Sequence, residues 1–451
     1  MAQIVRHLLA SKLAWLLILI LLAVTLRWTA IELTIVERPL RADATEYYAT
    51  AYNLRFNGTY SRSLQPLINP TAKVEPDAYR PPGLPLLIAA IITPQSGTAI
   101  IGHMQAINLL FGIITVAVVF VAAAAVLPLP AAIVVGLLVA CSPHLVSFTV
   151  YVLSETPSAF LVAILLGCAA IKAPSSRRMR AAFFVAFGAV VGVLSLFRPV
   201  FLAFTPLLAL AYPKRDDKWR CLLFACLGAA IVVAPWFIRN ALNVPRTVAP
   251  SLLAATMLDG AYPGFVYQGN MATFPYGSRS DPIFKEAEKS VSLTLKEIAR
   301  KIAENPIAMA RWYLFEKPVY LFQWNNIDGT DIFIYDVRST PFHNDKLFQT
   351  IYIVFRYTHL PVLILSVMGA MAAWLPSTAK HLSPDQLPLL RVASLMLPFV
   401  YVAHIPFFAA IRYAAPILPA IYLLAVFAVV ALRFRFIESA KDTNQADGGS
   451  S

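Results

Sequence analysis

Charge is scarce in this sequence. Only 14% of its 451 residues are Asp, Glu, Lys or Arg, where a water-soluble domain carries roughly a quarter. Cysteine is scarce too: Cys141, Cys168, Cys221 and Cys226 are the four present. All lie in or beside apolar stretches, none with metal-ligand spacing and none in a loop where a disulfide is expected. They read as small packing residues. Gly-rich phosphate loops, paired Cys/His metal spacings and a nucleophile elbow are missing. So are solenoid-type repeats and the inverted repeats of secondary transporters.

What is present is apolar. Hydrophobic residues make up 59% of the chain, and the mean hydropathy is +0.67. They gather into runs near the roughly 20 residues a bilayer-crossing helix needs. The expected fold class is an all-α polytopic membrane protein of about ten transmembrane helices, at 13–35, 99–127, 131–150, 156–172, 181–197, 199–212, 219–238, 348–375, 389–409 and 413–432. No small-residue cleavage site follows the first run, so it reads as a retained helix and not a signal peptide.

The formal charge of +13 could suggest nucleic acid, but the basic residues sit in short clusters between apolar runs. Lys172, Arg177, Arg178 and Arg180 form one; Lys214, Arg215, Lys218 and Arg220 form another. Such clusters mark cytoplasmic loops. Placing the N-terminus inside puts both there, with Arg6, Lys12, Arg433, Arg435 and Lys441. The organisation is then a first helix within 1–35, an outer loop at 36–98, helices two to seven over 99–238, a large outer loop at 239–347, helices eight to ten over 348–432, and a polar tail at 433–451 expected to be disordered. Within the first loop, 84–93 is apolar but too short to span and reads as an interfacial helix. Within the second, 281–315 has helical composition. Its charges, among them Lys285, Glu286, Glu288, Lys289, Lys296, Glu297, Arg300 and Lys301, form a solvated face.

Chemistry has few places to be. In RADATEYYATAYNLRFNGTYS, residues 41–61, Asp43 and Glu46 have the spacing of a capping box. The helix they open would run from Ala44 to Phe56 and stop at Asn57-Gly58. That reading does not exclude function, since a carboxylate held at a helix N-terminus is rigid and kept ionised, as a general base or metal ligand needs. In YVLSETPSAF, residues 151–160, Glu155 enters an apolar span. It either complements the helix dipole or, because a lipid-facing carboxylate is costly, faces the protein interior in a functional role. Arg80, Arg198, Arg239 and Arg412 sit at the outer ends of spans beside proline, asparagine or aromatic residues. A lone boundary arginine snorkels to headgroups, but four planar forks at one depth suit the phosphate of a lipid.

The order DATEYYATAYNLRFNGTYS, YRPPGLPLLIAAI, LSETPSAF, FRP, PWFIRN, IRYAAPILPAIYLLA resembles the bacterial glycosyltransferase family 39 and aminoarabinose-transferase-like proteins of the GT-C superfamily. The resemblance runs from the first span to the last and is looser in its second half. It implies a GT-C bundle whose first outer loop holds interfacial helices and the catalytic group. The implied activity is inverting transfer of a sugar from a polyprenyl-phosphate donor of the undecaprenyl type at the periplasmic face of the bacterial inner membrane. The acceptor would be a lipid, a glycan or a protein. Asp43 would be the general base. Glu46, Tyr47, Arg80, Glu155, Arg198, Arg239, Asn240, Arg412 and Tyr413 would bind substrate, with Asp43 and Glu155 as ligands of an optional divalent metal (Mg, Mn or Ca). Family members often have adjacent acidic residues where this chain reads Asp43-Ala44-Thr45-Glu46, which puts a metal site of neighbouring carboxylates in doubt. The large soluble C-terminal domain of some relatives has no counterpart in the resemblance.

Two rival readings remain beside it: a transporter or flippase of a lipid-linked sugar, and a glycan polymerase or ligase of the same superfamily. Transporters place ionisable residues near mid-membrane. Here they fall at span ends, and the long loops lie on one side.

Overall fold

The computed structural model describes residues 11–69, 71–94, 96–212, 214–244, 252–273, 276–324 and 331–447. Each apolar run becomes a helix. α1 (Lys12–Leu33) is followed by two short helices, α2 (Asp43–Asn57) and α3 (Gly83–Ile91), with a single helical turn (Gln65–Ile68) between them. Then follow α4 (Ala99–Val126), α5 (Leu129–Cys141), α6 (Pro143–Ser147), α7 (Glu155–Ala170), α8 (Arg177–Phe197), a 3₁₀ segment (Pro199–Ala211) and α9 (Arg215–Asn243). The second outer segment contains α10 (Leu252–Gly260), α11 (Val291–Glu304) and α12 (Lys317–Phe322). The chain returns through α13 (Lys346–Ala372), α14 (Leu387–His404), the single turn α15 (Ile411–Ala414) and α16 (Leu418–Asp447).

Among the described residues, seven helices are long and apolar enough to cross a membrane, or eight with the pair α5–α6, which bends by 45°. α7 and the 3₁₀ segment are shorter apolar helices. All ten expected apolar segments are therefore helical, and the protein is a multi-pass membrane protein. The bend falls where Pro143 follows Ser142, since proline cannot donate the helical bond. α8 and α9 lie backbone against backbone because Gly188 and Gly228 have no side chain: a Cβ on either would overlap a carbonyl of the other helix. Small residues of this kind drive helix association in lipid, where the hydrophobic effect does not.

A charge within α1 is buried. Arg27 of α1 is 1% exposed. It donates from Nη1 to the Ala140 carbonyl at 3.0 Å and from Nη2 to that of Val139 at 3.3 Å. These are among the last carbonyls of α5, which lack intrahelical partners. Gly112 of α4 leaves the room that its side chain occupies.

Because the spans alternate in direction, Asp43, Glu155, Arg198, Arg239 and Arg412 come to one end of the bundle. The basic clusters come to the other, where Lys172 pairs with Asp385 at 2.8 Å and Arg180 with Asp217 at 2.8 Å. Arg6 lies outside the described residues. The two outer segments are joined by an antiparallel pair, β1 (Ile35–Val36) with β2 (Val337–Ser339). The four cysteines are free thiols.

Two regions differ from expectation. The 281–315 stretch is several helices, because Ser290 caps α11 by accepting from the Leu293 amide and Asn305-Pro306 starts a new turn. Its Glu297 is buried rather than solvated, held by Arg300 and Lys301. The tail continues as helix to Asp447, since good helix formers such as Glu438, Ala440, Lys441 and Gln445 meet no breaker before Gly448.

Candidate active site

α2 stops as expected at Gly58, in the left-handed conformation with φ 64°. It does not start as expected. Ala42, with φ 47°, precedes the helix, Asp43 is its first residue, and no side chain caps it. The capping box is not formed, because guanidinium groups take the oxygens that would have capped. Charge-assisted bonds are roughly twice as strong as neutral ones.

Asp43 Oδ1 accepts from Arg80 Nη2 at 2.7 Å, and its Oδ2 accepts from Arg412 Nη2 at 2.8 Å. Glu46 Oε2 accepts from Arg80 Nε at 2.5 Å, and its Oε1 accepts from Arg62 Nη1 at 3.2 Å. On the other flank, Glu155 Oε1 accepts from Arg412 Nε at 2.8 Å and lies 2.8 Å from Arg198 Nη2. The result is one alternating ribbon: Arg62, Glu46, Arg80, Asp43, Arg412, Glu155, Arg198. Four cations against three anions leave it one positive charge in excess.

Exposure is uneven along the ribbon. Arg62, Glu46 and Asp43 are its open members, at 32%, 28% and 26%, while Arg80 at 10%, Arg412 at 7%, Glu155 at 1% and Arg198 at 12% are more closed. Asp43 thus stands where the solvent-accessible half meets the buried half. Burial pushes its carboxyl up, but the charges and hydrogen bonds of Arg80 and Arg412 outweigh that and hold it below the usual carboxylate range. For Arg80, burial opposes the charged form, but Asp43, Tyr47 and Glu46 reverse the effect and raise it above its ordinary value.

Local sequence fixes each member. Pro81-Pro82 after Arg80 prevents the chain from entering helix before α3, and Tyr60 donates its hydroxyl to the Arg80 carbonyl at 2.8 Å. The Arg80 guanidinium lies 5.2 Å from the Tyr47 ring. Glu155 begins α7, facing the protein interior as its boundary position implies. Tyr413 lies beneath Arg198 and Arg412, at 5.4 and 5.7 Å.

Arg239 and Asn240 stand apart from the ribbon. Arg239 donates to the carbonyls of Asp77 (2.5 Å) and Tyr60 (3.0 Å) and to Asn240 Oδ1 (2.9 Å). Its fork shapes the first outer loop behind Arg80. The expected metal ligands Asp43 and Glu155 share Arg412 between them. Among the described residues no three His, Cys, Asp or Glu groups come together as a metal site. With guanidinium groups on both sides, this donor set does not fit a divalent cation.

Three residues near the site carried little sequence signal. Arg62 ends the ribbon and covers Tyr79, 3.5 Å from ring centre. His404 stacks on Tyr413 at 5.4 Å. Lys317, 2% exposed, donates to the carbonyls of Gly260 (2.8 Å) and Ile405 (2.5 Å), joining the second outer segment to the turn before Arg412. Burial pushes its ammonium well below the ordinary range. A lysine just before a proline in EKPVYLF was the available hint.

No family model matches this chain, and no curated protein does. Solved structures do. The apo form of the Archaeoglobus fulgidus oligosaccharyltransferase aligns over 96% of this chain and 52% of its own, with 16% identity and a TM-score of 0.50. Archaeal oligosaccharyltransferase AglB from Archaeoglobus fulgidus, in complex with an inhibitory peptide and a dolichol-phosphate, aligns over the same shares with 15% identity and a TM-score of 0.48. ArnT from Cupriavidus metallidurans, bound to undecaprenyl phosphate, aligns over 93% of this chain and 60% of its own, with 13% identity and a TM-score of 0.47. This chain spans about half the length of the first two. The likeness to the apo oligosaccharyltransferase shows the fold alone: this chain shares the fold of that structure.

Proposed function

We propose that this protein is an inverting membrane glycosyltransferase. In this reading it takes a sugar from a polyprenyl-phosphate donor and passes it to an acceptor hydroxyl at the periplasmic face of the inner membrane. The observation that carries the reading is the sharing of Arg412 between Asp43 and Glu155. It places a carboxylate at the open edge of a buried arginine pair, as displacement of a phosphate leaving group requires.

The donor phosphate binds beside the buried half, drawing on Arg412, with Arg198 next to it on the sugar side. The acceptor hydroxyl approaches Asp43 from the open half. Asp43 takes the hydroxyl proton while the oxygen attacks the anomeric carbon from the face opposite the phosphate. The carbon–phosphate-oxygen bond breaks, and its electrons stay on the phosphate, where the guanidinium charges hold them. No acid is needed, because phosphate is a good leaving group without protonation, and one displacement inverts the anomeric centre. Paired-carboxylate glycosidases differ because they must protonate a poor leaving group.

Asp43 is a weak base while two arginines hold it. Donor phosphate relieves this by competing for Arg412, which lets the Asp43 pKa climb back towards the ordinary range as the site fills. Base activation is thereby coupled to donor binding. The one-ended placement of the ribbon favours transfer over transport. The basic clusters at the opposite end support N-in, C-in topology.

The test is incubation of purified protein with a panel of radiolabelled polyprenyl-phosphate sugars, with and without chelator, comparing wild type with Asp43→Asn. Wild type is expected to transfer label and the variant to bind donor without turnover. Transfer by Asp43→Asn at the wild-type rate would overturn the assignment of the base. The chelator arm decides metal dependence separately.

A further inference from the structure

At the closed end of the ribbon an acceptor and a donor are both left without hydrogen-bond partners. Glu155 is 1% exposed, and one of its oxygens, Oε1, takes both arginine contacts. Its other oxygen, Oε2, is buried and accepts no hydrogen bond among the described residues. On the facing side of the same ion pair, Arg198 Nε is buried with no acceptor, and Arg198 Nη2 approaches Oε1 out of hydrogen-bond alignment. The large majority of buried side-chain polar atoms are hydrogen-bonded, and a buried carboxylate oxygen is costly to leave bare. Two such atoms on one ion pair, beside the site, point to a ligand group.

Their chemistry restricts that group. Oε2 of an ionised Glu155 can only accept, and Arg198 Nε can only donate. A phosphate oxygen would satisfy the arginine but repel the carboxylate. An ammonium would satisfy the carboxylate but repel the arginine. A hydroxyl does both at once, donating to Oε2 and accepting from Nε.

We propose that Glu155 Oε2 and Arg198 Nε form a subsite for a hydroxyl of the donor sugar, the one on the carbon next to the anomeric carbon. This rests on the glycosyltransferase reading above and adds what the buried half selects. The position follows from the ribbon. Glu155 and Arg198 adjoin Arg412, which holds the phosphate, and a hydroxyl one carbon from the anomeric centre is the nearest that a sugar phosphate presents. The open half, with Asp43 and Glu46, is left to the acceptor. Glu155 is thus a specificity-determining residue: it rejects donors lacking that hydroxyl by leaving its own oxygen bare.

The experiment measures binding of undecaprenyl phosphate alone, then of undecaprenyl-phosphate glucose, mannose and arabinose, each against its 2-deoxy counterpart, to wild type and Glu155→Gln in detergent. Wild type is expected to prefer at least one hydroxyl-bearing donor over its 2-deoxy form by about tenfold or more, the scale of a hydrogen bond to a charged group. In Glu155→Gln that ratio is expected to fall towards one, whatever happens to overall affinity. If wild type binds the bare lipid phosphate yet shows no ratio above about twofold for any sugar, the subsite is refuted, a buried water accounts for the bare atoms, and the transferase reading stands. If wild type binds neither the bare lipid phosphate nor any donor, the transferase reading itself fails and takes the subsite with it. Should Glu155→Gln fail to fold, the wild-type ratios alone decide. A ratio that survives intact in a folded Glu155→Gln also overturns the assignment.

Discussion

Arg412 and Arg27 are similarly buried, at 6% and 1% exposure, yet their guanidinium groups meet different partners. Arg412 bonds two carboxylates, Asp43 and Glu155. Arg27 bonds two carbonyls at the end of α5. Arg239 and the buried Lys317 amine follow Arg27, with backbone carbonyls as their partners. A carbonyl is fixed by the backbone, and a cation that satisfies it holds the fold. A carboxylate sits on a side chain and is itself an anion, so another anion can replace it. The molecule thus separates cations that fasten from cations that can exchange partners. A ribbon of the second kind is the natural place for a phosphate to enter.

The largest expected effect breaks the exchanging group. Asp43→Asn keeps the shape of the side chain and removes its basicity. Transfer from an active donor should fall by about 10²–10⁴-fold, the usual worth of a positioned base. Donor affinity, read by the same labelled lipid, should hold or rise, because Arg412 no longer has Asp43 as an anionic competitor. Loss of donor binding with unchanged turnover per bound donor would reverse the roles given to the two halves of the ribbon.

Arg27→Met breaks the fastening group. Two α5 carbonyls then lose their donor inside the bundle, each costing about 1–3 kcal/mol. Thermal unfolding in detergent should show that loss, while folded protein keeps its donor specificity. A change in specificity without a change in stability would show that the carbonyl-held cations are not merely fasteners.

Much of this division was hidden in the sequence, for physical reasons. Helices were legible because a bilayer demands long apolar runs, so each long apolar run could be read as helix. Glu155 could be turned inward because lipid penalises a bare carboxylate. The four boundary arginines looked alike, however, and only tertiary contacts separate Arg412 and Arg198, which meet Glu155, from Arg239, which meets backbone. The three-residue spacing of Asp43 and Glu46 serves a capping box and a shared arginine equally well. Arg80, from a distant part of the first outer loop, decides between them. Lys317 carried little more than its neighbouring proline as a signal, because an isolated lysine in an outer loop ordinarily faces water.

A subtler change sharpens the electrostatic half of the contrast. Asp43 is held below the ordinary carboxylate range, so its contribution to stability is present above the unfolded value near 3.9. It is lost only as pH falls through the lower folded value. The acid limb of kcat/KM for wild type should therefore lie below the usual aspartate range. Arg80→Met removes one of the two paired cations and should move that limb upward by about one to three units. A limb that stays in place would mean Arg412 alone sets the charge on Asp43.

The smallest effect tests the fastening half at the outer surface. Burial lowers the Lys317 pKa, opposed by no carboxylate in direct contact among the described residues. Between that lowered value and the ordinary one near 10.4, the unfolded chain binds a proton that the folded chain does not. Stability should therefore rise with pH across this window, by at most about 1.4 kcal/mol per pH unit. Lys317→Met has nothing to titrate there, so thermal unfolding measured from pH 7 to 10 should lose that slope even as the carbonyls of Gly260 and Ile405 lose their donor. The Arg412 ribbon gives no such rise over the same range, because Asp43 stays ionised throughout. If the slope survives in Lys317→Met, it belongs to another group, and the buried amine is not where the folded state gives up its proton.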